Sequence, residues 1–167
     1  MALKSDRYEL QTDISFFCDT VLDRGVVVTY QGGTGTGAAM DQGAAVVAAT
    51  AGVAGTSAVA GILLNDVVNK DLTRTHLNQH KDEVQKGGKV TVLRKGYVVT
   101  NAIENTSTPS VGDVAYLSDT VTSSSATDGS SELGFLTDTD GGAAVAVGRF
   151  LSAKDADGYA KVEVNLP

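Results

Sequence analysis

The sequence has no tryptophan and a single cysteine, Cys18, in 167 residues. One thiol excludes an internal disulfide. Cys18 sits among Phe16, Phe17 and Val21, a setting for a small buried hydrophobe and not for a nucleophile. Without tryptophan there is no evident platform on which a sugar ring would stack, so paired carboxylates alone do not argue for glycoside hydrolysis. The two histidines lie close together and no G-x-S-x-G elbow occurs, leaving a Ser-His-Asp triad few ways to form. A basic excess is also missing. Thirteen Lys and Arg against twenty Asp and Glu give a net charge of −7, the opposite of a nucleic-acid footprint. The N-terminal Met1–Asp6 has no apolar core, so no signal peptide is expected. Nothing charged lies between Asp41 and Asp66, a gap long enough to span a bilayer. Gly43, Gly52, Gly55, Gly61 and a majority of weakly hydrophobic residues argue against that use.

What the chain does have is 42% hydrophobic residues and 19 glycines, with Ala and Val dominating the apolar set. Small side chains bury little area each, at roughly 25 cal/mol per Å². Much of the stability is therefore expected from backbone pairing or from association. Residues 7–16 alternate: Tyr8, Leu10, Ile14 and Phe16 on one side with Thr12 between them, Glu9, Gln11, Asp13 and Ser15 on the other. Period two predicts a half-buried strand, lying either in the parent sheet or across a neighbour. Val26–Tyr30 is a second, β-branched strand. Residues 38–64 are read as short strands or an extended excursion, with sheet resuming near Gly61–Leu64. Residues 72–85 are read either as a short helix or as a long structured loop.

After Gly88 the pattern is plainly β. Strands are predicted at Val90–Leu93, Tyr97–Thr100, Val114–Leu117, Ala143–Phe150 and Ala160–Leu166. Arg94-Lys95-Gly96 reads as a turn or bulge, Pro109–Asp113 as a turn, 118–132 as a surface loop and Asp155–Gly158 as a hairpin turn. Short strands with Gly and Asp turns, and no amphipathic helices between them, predict a mainly β fold: a small β-barrel or β-tulip-like fold with an N-terminal strand or arm. The division expected is 1–24 arm, 25–87 β and loop excursion, and 88–167 barrel core.

Candidate chemical sites each meet a plainer explanation. Gly32–Gly37 follows a strand, but the third glycine of a dinucleotide fingerprint is replaced by Ala38 or Met40 and no lysine follows. His76, His80 and Glu83 would share a helix face, a metal-ligand spacing. No third strong ligand is nearby, and Asp71, Arg74, Lys81, Asp82 and Lys86 fit an ion-paired surface as well. The acidic turns at Asp138–Gly141 and Asp155–Gly158 lack the loop and closing glutamate of a calcium site. No enzyme activity, cofactor or metal is expected.

The run from Gly61 to Gly96 (GILLNDVVNKDLTRTHLNQHKDEVQKGGKVTVLRKG) resembles the corresponding region of head decoration proteins of tailed bacteriophages. Pro109–Leu117, Gly148-Arg149-Phe150 and the closing Gly158–Leu166 strand resemble them too. The likeness covers residues 60–167, and 20–60 match loosely. It implies a capsid decoration or cement protein on the outer surface of the virion head. Such a protein would be trimeric about local threefold axes, contact the major capsid protein, clamp capsomers against genome pressure, and have no catalytic residues. On that view Tyr8, Leu10, Ile14 and Phe16 serve trimer or arm contacts. The small-residue segment 43–61 packs closely between subunits. Arg74, Lys81, Lys86, Lys89, Arg94 and Lys95 face the shell, and the acidic C-terminal third faces solvent. Neither nucleic acid nor membrane is an expected partner. Two rivals are a fibre-like or receptor-binding adhesin module using loop 118–132, and a small metal protein or enzyme using His76, His80 and Glu83.

Overall fold

The structure is a computed structural model that describes residues 3, 4, 6–31, 46–49, 58–66, 83, 84, 86–119, 133–141 and 144–167. Eleven strands run in chain order: β1 (Tyr8–Cys18), β2 (Leu22–Asp23), β3 (Val27–Tyr30), β4 (Val46–Ala48), β5 (Val59–Asp66), β6 (Glu83–Val84), β7 (Lys89–Thr100), β8 (Val114–Leu117), β9 (Leu136–Thr137), β10 (Ala146–Phe150) and β11 (Ala160–Asn165). No helix occurs among the described residues. Nine strands form one sheet in the order β1-β4-β3-β5-β7-β11-β10-β8-β9, and β1 pairs a second time, with β7. That extra pairing closes β1, β4, β3, β5 and β7 into a ring, from which β11, β10, β8 and β9 extend as a wing. All neighbours are antiparallel except β1 and β4. The mainly β, barrel-shaped architecture is the one predicted, and the N-terminal strand lies in the parent sheet.

β3 and β5 are buried on both faces over most of their length, which explains why they read as apolar runs, and β7 lines the interior beside them. Their alternate side chains feed two cores. Val28, Ala60, Leu63, Val90 and Val92 pack with Cys18, Val26, Ala49, Val84 and Ala102 in one. Val27, Ile62, Leu64, Leu93 and Val98 join Phe150, Leu117, Leu136, Val162 and Val164 under the wing. β11 shows the plainest alternation: Ala160, Val162 and Val164 are buried, as is Leu166 beyond the strand's end, while Glu163 and Asn165 are exposed.

Three readings need correction. Arg94-Lys95-Gly96 does not separate two strands, because β7 is continuous over twelve residues. Gly96 instead allows a close crossing: its φ is +139°, and a Cβ there would collide with the carbonyl oxygen of Tyr8. The register between β1 and β7 slips beside this point, so the bulge is real and the turn is not. A helix over 72–85 does not reach its expected end. Residues 72–82 and 85 lie outside the described residues, but Glu83 and Val84 pair with Asp23 and Leu22, and fully buried Val84 is claimed by the ring core. Third, where segment 43–61 is described, Ala49, Ala60 and Gly61 are buried in this chain's own interior. Their small size serves strand approach there, since a Cβ on Gly61 would strike Leu93.

Replacing Gly96 by Val tests the crossing directly. We expect a loss of about 1–3 kcal/mol in stability from steric displacement of β1, read by denaturant unfolding, with the earliest loss of amide protection in β1.

Candidate docking surface

The sequence alternation of β1 places Tyr8, Leu10, Ile14 and Phe16 on one face, but register shifts at Glu9/Gln11, Gln11/Thr12 and Asp13/Phe16 interrupt it. A bulge lets the strand change which residues face the core. Phe16 accordingly turns inward, packs on the ring core and meets the Tyr30 ring at 5.1 Å. Tyr8, Leu10 and Ile14 stay out, at 54%, 66% and 44% exposure. The four residues are therefore split between interior and surface.

Registers across the wing bring together residues far apart in sequence. Tyr8 lies opposite Tyr97, Tyr97 opposite Glu163, Glu163 opposite Arg149, and Arg149 opposite Val114. The result is one transverse row over five strands, β1, β7, β11, β10 and β8, on the face turned away from the wing core. Tyr8 and Tyr97 stack with ring centroids 5.9 Å apart, and Lys161 Nζ sits 3.8 Å above the Tyr97 ring. Lys161 also holds Asp6 at 3.2 Å. At the far end a recess of about 460 Å³ opens, lined by Val114, Tyr116, Ala146, Val147, Gly148, Arg149, Glu163 and Asn165. At Gly148 the strands β10 and β11 approach closely, since a Cβ there would collide with the Glu163 carbonyl. Arg149 Nη1 donates to the Gly112 carbonyl at 2.9 Å, which fixes the guanidinium at the rim.

Of the basic residues expected to face a shell, Lys86, Lys89, Arg94 and Lys95 are among the described residues. Lys86 is exposed with Nζ 3.7 Å from Asp19, and Lys89 lies 5.7 Å over the Phe17 ring. Arg94 donates to the Pro167 carbonyl. Lys95 pairs between Gln11 and Asn165 in the sheet. Arg74, Lys81, His76 and His80 lie outside the described residues, as does loop 118–132 apart from Ser118 and Asp119. Glu83 is in strand β6. Among the described residues no group of three or more His, Cys, Asp or Glu is placed to hold a metal ion. Burial pushes the Cys18 thiol up, against the hydrogen bond its sulfur donates to the Thr20 carbonyl at 2.9 Å.

A clasp fixes the segment leading into β1. Leu3 bridges to Thr100, and the Lys4 amide donates to the Val99 carbonyl at 2.9 Å. Lys4 Nζ reaches Asp155 at 2.6 Å and lies 4.2 Å over the Tyr159 ring. The same carboxylate accepts from the Asp157 and Tyr159 amides at 3.0 and 2.8 Å, shaping the β10–β11 hairpin turn. The hydrogen bond from Lys4, then that from the Tyr159 amide, hold the Asp155 carboxyl below the usual carboxylate range. The bond to Asp155 in turn raises Lys4.

A family model described as structural cement protein (E217 gp24/Pam3 gp6) matches residues 12–165. Among solved structures, a chain of the capsid of Myoviridae phage XM1 aligns with a TM-score of 0.59 and 15% identity. The alignment covers 99% of this chain and 92% of that one; at that identity the likeness speaks for the fold. No curated protein sequence matches significantly.

The clasp has a defined pH window. Because the folded Asp155 pKa is depressed, its contribution is present above the usual carboxylate range and is lost as pH falls through the folded value. The raised Lys4 value makes its contribution vanish at the other end, as pH rises through the lysine range. Protection of the Lys4 amide, measured against its intrinsic exchange rate at each pH, should therefore fall on acidification, and Asp155→Asn should show the lower protection already at neutral pH.

Proposed function

This chain belongs to the structural cement protein family of phages, and from that premise we propose that it binds the outer surface of the head as a trimer and bridges neighbouring capsomers. A structural role in the phage capsid, in the virion head, comes from the family match over residues 12–165; the trimer, the outer surface and the bridging are the further steps. The observation that carries them is the five-strand face, with Tyr8, Leu10 and Arg149 exposed and Tyr97 and Tyr116 half-buried. Tyr and Arg are the residue types enriched where proteins bind one another.

A shell suits such a surface. A trimer engages three equivalent sites at once, so contacts that are individually weak combine through effective concentration. The basic residues Lys86, Lys89 and Lys95, with Arg74, Lys81 and Arg94, then meet acidic groups of the major capsid protein. Nine of the acids fall in residues 105–167, and those away from the five-strand face are assigned to solvent. The chemistry requires no cofactor, because resisting pressure needs only contacts that must be broken before capsomers separate.

Light scattering should give a mass near three chains of 17.1 kDa. A monomer mass that does not change with concentration would sink the trimer. Added to heads assembled without it, the protein should co-sediment and raise the temperature at which the shells open. The double variant Lys86→Glu/Lys89→Glu should bind about three- to tenfold more weakly, with a reduced salt dependence; unchanged binding would remove these residues from the shell contact. Deleting residues 1–16 is a poor test, since it removes a wall of the ring.

A further inference from the structure

We infer that residues 3–11 form a strap that opens as a unit, independently of the rest of β1, and uncovers one edge of the wing sheet. The two halves of β1 have different surroundings. Phe17 is paired on both sides, with Lys89 of β7 and Val46 of β4, and Cys18 beside it is buried. Residues 6–12, by contrast, are exposed without a break. Among the described residues Tyr8, Glu9 and Gln11 pair with β7 alone. This half of the strand is attached by one ladder and its side chains enter neither core. Few buried apolar contacts and solvent-exposed backbone bonds are the marks of a segment that opens locally.

β7 divides at the same place. Up to Leu93 it lies in the ring, between β5 on one side and Thr12, Asp13, Phe16 and Phe17 on the other. From Lys95 to Thr100 it lies in the wing, between β11 and the strap. Thr12–Cys18 therefore suffices to close the ring, and the strap only edges the wing. Two opposite slips mark the boundary. Leu10 is the extra residue of β1 between Glu9 and Gln11, and Arg94 is that of β7 between Leu93 and Lys95. Bulges break a ladder locally, so the strap swings at residues 10–12 without disturbing the pairing of Asp13 with Val92 or of Phe16 with Val90.

The free end is fastened at the surface of the wing. Leu3 packs against the wing core and bridges to Thr100. Lys4 joins Asp155 and the Tyr159 ring, and Lys161 joins Asp6 and the Tyr97 ring. The two carboxylates are 44% and 63% exposed. Ion pairs and cation–π contacts in such positions each hold weakly, so the fastening yields before either core does. Once open, the backbone of β7 from Lys95 to Thr100 is left unpaired on one side, an edge that the closed strap covers.

Hydrogen exchange on the full chain tests the strap. The amides of residues 4–11 that bond to β7, that of Lys4 among them, should share one protection factor. It should lie about a hundredfold or more below those of Val92, Leu93, Val162 and Val164. Lys4→Ala/Lys161→Ala, which alters two partly exposed side chains, should lower the strap's protection by about tenfold more and leave that of Val90–Leu93 unchanged. If protection instead falls gradually from Gln11 to Lys4, the segment frays and is no unit. If strap and ring amides share one value, or the variant lowers both equally, β1 opens only with the whole fold. Either result overturns the strap.

Discussion

Everything in this fold is hung on one strand. β7 accepts β1 along one side for nearly its whole length, and its other side is shared by β5 and then β11. Its side chains serve two cores, Val90 and Val92 in the ring and Leu93 and Val98 under the wing. A chain poor in large side chains gains little from any one core, so a strand common to both couples them into one cooperative unit. The steric demand at Gly96, where β1 passes closest, is the condition for that sharing.

The closed ring and the open wing play different parts. Closure removes free sheet edges, and in the ring it uses the parallel contact of Phe17 and Cys18 with Val46 and Val47. The wing keeps one face on its core and turns the other outward, as antiparallel sheets can. Family membership gives the chain a structural role in the phage capsid.

Much of the fold was legible because period-two patterning is a local signal. Ala160–Leu166 and Val114–Leu117 show it without interruption, and the Asp155–Gly158 turn announces its hairpin. β7 was misread as two strands because Gly96 is equally a turn residue and a site of close backbone approach; only the position of Tyr8 decides between them. The four apolar residues of β1 looked equivalent because bulges are a property of two paired strands, and nothing in residues 7–16 records them. The outward face of the wing was the least legible. Its row from Tyr8 to Val114 is set by four separate ladder registers, which no single segment of the sequence records. The run Gly148-Arg149-Phe150, noted for its family likeness, was the one available signal.

The arrangement of β1 against β7 also bears on mechanics. Their hydrogen bonds run perpendicular to both strands, so tension along β1 loads the rungs together in shear and does not peel them one at a time. The Lys4 clasp, at one end of that ladder, holds the segment from which β1 would otherwise begin to peel away.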